Sequence, residues 1–136
     1  MADQTRITSA SEFLAEYNRD GPDGELWRFR HVAEDVWREL LAAGFSPEVV
    51  LLSKTIPVAI LQILSAHDDD RIRRMVAERR AAAPILNRLA ADRSAAVRLS
   101  VAWNPKVSRE VLELLESDPE PRVREIVADR MKKMGG

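Results

Sequence analysis

Apolar residues in this chain return in the same register every 25 or 26 positions, and that periodicity constrains the fold more than any other feature. Ile60, Leu61 and Leu64 recur as Ile85, Leu86 and Leu89, then as Val111, Leu112 and Leu115. Ile72-Arg73 recurs as Val97-Arg98 and Val123-Arg124, and Val76-Ala77 as Val101-Ala102 and Val127-Ala128. Asp92 and Asp118 each stand six residues before an arginine of this set, and His67 takes that place in the first copy. A fainter copy ends at Leu51-Leu52, with Pro47-Glu48 where the others carry the apolar–Arg pair. Each copy reads as a short helix, a turn and a second short helix. One such pair cannot cover its own apolar face, whereas stacked pairs share one continuous core.

The punctuation agrees with helices. From Phe45 to Met134 there is no glycine, although a β-rich chain needs glycine in its turns. Pro47, Pro57, Pro84 and Pro121 each precede an apolar run with helical spacing, as prolines in a first helical turn do. Ser46 and Ser108 stand where N-caps belong, and Ser9 with Glu12 fits a capping box. The spacing predicts helices over 10–18, 24–43, 47–54, 57–66, 71–80, 84–91, 95–103, 109–117 and 121–133. The expected fold is all-α, with three clear repeats and one degenerate repeat over 46–136 behind a helical N-terminal cap over 1–45. Six of the seven aromatics lie in that cap: Phe13, Tyr17, Trp27, Phe29, Trp37 and Phe45. Aromatics at helical spacing supply buried area, so they are expected to form the core of the cap, with an aromatic binding anchor as the alternative.

The stretch Val101 to Arg130, VAWNPKVSREVLELLESDPEPRVREIVADR, resembles the leucine-rich repeat variant family, a relative of the HEAT and armadillo solenoids. Its unit runs VA-x-NP, an apolar-Leu-x-x-Leu segment, then D-x₅-VR-x-x-(V)A. The resemblance covers about 57–133. In the first copy Arg79-Arg80 replaces Asn-Pro and His67 replaces the Asp. The resemblance implies a right-handed α-α superhelix with a binding role and no particular reaction. It also implies that the Asp and Arg columns form a hydrogen-bonded ladder, and that the second helix of each unit lines the concave side. Some members carry a cysteine cluster with iron–sulfur; this chain has no cysteine, so that feature does not carry over.

Several chemistries are excluded outright. Zero cysteines remove disulfides, thiolate metal sites and a Cys nucleophile. There is no G-x-S-x-G and no Gly-rich phosphate loop. The two histidines, His31 inside the expected long helix and His67 in a turn, have no nucleophile at motif spacing. Asp68-Asp69-Asp70 lacks the Gly and the distal Glu of a calcium loop, so capping is the expected role of Asp70. No enzyme activity, cofactor or metal is expected. With no apolar run of membrane-span length and no apolar leader at the N-terminus, a cytoplasmic chain is expected.

Charge is segregated although the net charge is −1. Residues 1–70 carry −7, residues 71–109 carry +8 and residues 110–136 carry −2. The basic block holds ten basic residues, of which Arg73 and Arg98 belong to the expected ladder. Three readings stand side by side: a solvated face paired with acidic neighbours, a site for an acidic protein, and a phosphate-backbone site of the kind that dominates nucleic-acid affinity. Few aromatics interleave the block, which counts against single-strand stacking.

One pair of columns breaks the pattern. One residue after the ladder arginine the copies carry Arg74, Leu99 and Glu125; four residues further they carry Glu78, Trp103 and Asp129. The middle copy therefore places Leu99 and Trp103 one helical turn apart where its neighbours are charged. An exposed Leu–Trp pair rimmed by Arg74, Arg79, Arg80 and Lys106 has the makeup of a protein-binding hot spot; folding of Trp103 over the Asn104-Pro105 turn is the alternative. The expected function is a non-catalytic protein-binding module, an adaptor, regulator or immunity/antitoxin-type inhibitor, acting as monomer or weak homodimer. The rival is a nucleic-acid-binding solenoid using 71–109. Self-association through Val127, Met131 and Met134 is a third possibility.

Overall fold

The computed structural model describes residues 6–135, with the backbone alone for Glu25 and Leu26. Residues 1–5 and 136, which the expected cap and repeat segments include, lie outside the described residues. The chain is mostly helical: the described residues form ten helices and one two-stranded parallel sheet. It divides after Leu61 into two compact units.

In the first unit α1 spans Ala10–Asp20, α2 Glu25–Phe29, α3 Glu34–Ala42 and α4 Pro47–Val50, and α5 begins at Val58 and runs to Leu64. Ser9 caps α1, its hydroxyl accepting the Glu12 N–H at 3.1 Å, while Glu12 reaches back to the Thr8 N–H. The long helix expected over 24–43 is broken. β1 (Arg6–Ile7) pairs in parallel with β2 (His31–Val32), with Arg6 opposite His31 and Ile7 opposite Val32. His31 therefore sits on a strand, not inside a helix, and the fold is not purely α. The break is held by partners distant in the chain. Arg30 is extended (φ −80°, ψ 146°), and its guanidinium bonds Glu12 and Glu16 of α1. Its carbonyl accepts the Thr55 hydroxyl at 2.8 Å.

Phe13, Trp27 and Trp37 are fully buried in the core of this unit, and Tyr17 and Phe45 are half-buried beside them. Phe13 meets Trp27, Trp37 and Phe45 edge-on, with ring centroids 5.3, 5.1 and 5.5 Å away. Trp27 donates its indole N–H to the Gly21 carbonyl at 2.9 Å, satisfying its one polar atom. Gly21 takes the left-handed conformation that ends α1 (φ 77°). Phe29 is the exception, standing 60% exposed.

In the second unit α6 spans Asp70–Ala77, a 3₁₀ segment Arg80–Ile85 leads into α7 (Leu86–Leu89), α8 spans Ala95–Trp103, α9 Arg109–Leu114 and α10 Pro121–Lys133. α6 packs on α8 and α8 on α10, while α7 and α9 pack against α8 and α10 respectively. The repeated columns explain this order. Ile72, Val97 and Val123 are buried, as are Val76, Val101 and Val127, and so are Leu64, Leu89 and Leu115. Each such side chain contributes about 1.5–3 kcal/mol on leaving water. Ser108 caps α9 through the Val111 N–H at 3.2 Å. Pro121 opens α10 as expected, but Pro84 lies inside the 3₁₀ segment rather than at a helix start.

Candidate functional site

The turns of the second unit hold a ladder that positions everything else. The Arg73 guanidinium presents Nε and Nη2 to the Asp92 carboxylate at 2.8 and 3.2 Å, and Nη1 to the carbonyls of His67 and Asp68. Arg98 repeats this one pair later, with Nε and Nη2 on Asp118 at 2.7 and 3.3 Å and Nη1 on the Asp92 carbonyl. The fork matches the carboxylate, so each rung is bidentate and directional. The rungs are buried: Arg73 and Asp92 are 4% and 9% exposed, Arg98 and Asp118 13% and 3%.

Each aspartate also shapes its own turn. Asp92 accepts the Ser94 N–H at 2.8 Å and Asp118 the Glu120 N–H at 2.9 Å. In the first copy the His67 ring does the same, its Nδ1 accepting the Asp69 N–H at 3.0 Å. The turn geometry thus survives replacement of Asp by His, while the carboxylate is lost. Burial alone would raise the Asp92 and Asp118 carboxyls. The guanidinium bonds from Arg73 and Arg98 and the turn N–H groups outweigh it, and both carboxyls lie below their ordinary value. Arg73 is raised, chiefly by its bond to Asp92.

The candidate anchor stands on α8. Trp103 is 49% exposed and Leu99, one turn earlier, is half-buried. The equivalent residues on the neighbouring helices, Glu78 and Asp129, are exposed. Asn104 fixes the end of α8 against the end of α6. Its buried amide donates to the carbonyls of Ala77 at 2.7 Å and Arg79 at 2.8 Å, and its carbonyl oxygen accepts the Lys106 N–H at 2.8 Å. The backbones of Arg79, Trp103 and Lys106 are therefore drawn to one edge. Arg80 follows directly in the chain and is exposed, as is Lys106. Arg74 lies a turn before this edge and is occupied by Glu78 at 3.7 Å. Arg79 is half-buried, and burial pushes its guanidinium below its ordinary value. Asn104 and Arg130 share one repeat column, in which the spacing marks Asn104 only as part of an Asn-Pro turn and gives Arg130 no mark of its own.

Half of the basic block is held in ion pairs. Arg71 pairs with Asp69, Arg74 with Glu78 and Arg109 with Glu113, in addition to the two ladder arginines. The exposed Arg93 and Lys106 lie beyond opposite ends of α8, and Arg88 is on α7. A concavity of about 560 Å³ opens elsewhere, between Ala90–Asp92 and Ser117–Pro119, with Leu114 at its wall. Neither Leu99 nor Trp103 lines it. Among the described residues no group of three acidic or histidine side chains is arranged to hold a metal, and no helix is long and apolar enough to cross a membrane.

Comparison with protein-family models, curated proteins and solved structures finds no match.

Proposed function

We propose that this chain is a non-catalytic protein-binding module, built as a small right-handed α-solenoid of three to four helix pairs behind an N-terminal helical cap. It grips its partner along the edge that carries Leu99 and Trp103, with Arg74, Arg79, Arg80 and Lys106 around them. The observation that carries this reading is the half-exposed Trp103, in a column that is charged on both flanking helices. Covering such an indole offers a partner a large apolar contact beside cations that orient an acidic surface. The repeated buried columns and the two Arg–Asp rungs support the solenoid.

Nucleic-acid binding is the competing arm of the test. Wild type, Trp103→Ala and Arg79→Glu/Arg80→Glu chains are used as bait, and each candidate partner is then purified and titrated. The expected result is a partner whose affinity falls at least about tenfold in Trp103→Ala. Anisotropy with labelled duplex and single-stranded DNA and RNA runs in parallel. Binding that survives physiological salt and vanishes in the double arginine variant would replace this reading with the nucleic-acid one.

A further inference from the structure

The ladder has an open rung. Arg124 occupies the column of Arg73 and Arg98 and makes the same backbone contact, its Nη1 donating to the Asp118 carbonyl at 2.6 Å. That bond repeats the Nη1–carbonyl contact that Arg98 makes to Asp92. Among the described residues no carboxylate meets its Nε–Nη2 edge, and Arg124 is exposed whereas Arg73 and Asp92 are almost fully covered. The apolar column beside it changes in the same way. Ala77 and Ala102 are completely buried, by the packing of α6 on α8 and α8 on α10, but Ala128 is exposed.

We infer that the outer face of α10 is a docking surface for a helical partner whose helix is preceded by an aspartate turn of the Asp92 and Asp118 kind, the carboxylate seating on Arg124 and the helix covering Ala128. The inference is independent of the Trp103 edge. It rests on continuity, because the same face is filled twice in this unit by such a turn, with Nε–Oδ2 distances of 2.8 and 2.7 Å. It also rests on charge, since a guanidinium fork matches a planar carboxylate. A second copy of this chain is the poorer occupant. Asp92 and Asp118 are already held, and the third turn of this type presents the His67 imidazole.

The probe is a fluorescein-labelled peptide of residues 107–133 of this sequence, the helix pair that closes on Arg98. It is titrated against the full chain. Saturable binding is expected, weakened about tenfold or more by Arg124→Gln, equally by Asp118→Asn in the peptide, and little further by both together. A second measurement removes dependence on the peptide folding alone. The same segment is joined after Lys133 through a flexible Gly/Ser linker, which raises its effective concentration. The extended chain should melt higher than the original, and Arg124→Gln should cancel the gain. Binding and melting indifferent to Arg124→Gln overturn the proposal. Arg124-dependent dimers of the unextended chain in sedimentation overturn it in favour of a second copy.

Discussion

Asn104 and Arg130 do the same work from equivalent positions of successive helix pairs. Asn104 donates to the carbonyls of Ala77 and Arg79. Arg130 donates to those of Ala102 and Asn104, one repeat later, at 3.1 and 3.3 Å. An amide and a guanidinium are different groups, but each offers two N–H bonds diverging toward two carbonyls at a helix end. Between these two copies the donation is kept although the residue differs.

This equivalence predicts unequal costs. Asn104 is 1% exposed, so Asn104→Ala leaves two buried carbonyls and the Lys106 N–H without partners and should cost about 2–3 kcal/mol. Asn104→Asp should cost more, because it sets a carboxylate oxygen against two carbonyl oxygens. Arg130 is half-buried with longer bonds, and Arg130→Ala should cost about 1 kcal/mol. Urea denaturation of the three variants checks the order.

The ladder predicts strong non-additivity. Removing one member of the Arg73–Asp92 pair strands a buried charge, so Arg73→Met or Asp92→Leu alone should cost about 3–5 kcal/mol. The double variant should cost much less than the sum of the two. A double-mutant cycle by chemical denaturation measures the coupling. Additive losses would mean that the rung contributes no interaction of its own.

Acid should dissolve the same rungs. The Asp92 and Asp118 carboxyls titrate lower in the folded chain than in the unfolded one, where the value is about 3.9. Their stabilisation is therefore fully present above roughly pH 5 and is lost as pH falls through the folded values. The stability gap between wild type and Asp92→Asn/Asp118→Asn should be constant from pH 7 to 5 and shrink toward pH 3. Urea titrations at those three pH values read it directly.

Two tryptophans should behave oppositely. Trp27 is fully buried against Phe13, and Trp27→Ala should cost about 3–5 kcal/mol. Trp103→Ala should cost about 1 kcal/mol or less in stability, with its loss appearing in binding instead. A Trp103→Ala cost near that of Trp27→Ala would make Trp103 a packing residue and withdraw it from the proposed edge.

The repeated columns were legible because burial within each helix pair is local and periodic. Leu64, Leu89 and Leu115 could be read from spacing alone, and so could the anomaly at Leu99 and Trp103. What spacing hid were partners far away in the chain. Val32 continues an apolar pattern that reads as helix, and only its pairing with Ile7 makes it a strand. Pro84 resembles a helix start, but the chain after Arg79 tightens into a 3₁₀ segment before the α-helical turn at Leu86. Phe29 carries aromatic character that its position does not bury. Arg124 was legible as a ladder residue and not as an unfilled one, since exposure depends on what packs beyond it.

The second helices are tied at both ends. Arg–Asp rungs fasten their starts, and the Asn104 and Arg130 donors fasten the ends of α6 and α8. Helices fastened at one end only can splay like the ribs of a fan. Fastened at both, they keep a set spacing, and the row of side chains across α6, α8 and α10 behaves as a rigid ruler. For the binding role proposed above, such a surface would be preorganised, and docking on it would forfeit little conformational entropy on the side of this chain. Selectivity in that role would lie in matching the pitch between neighbouring helices, so that the right residues at the wrong spacing would not engage it.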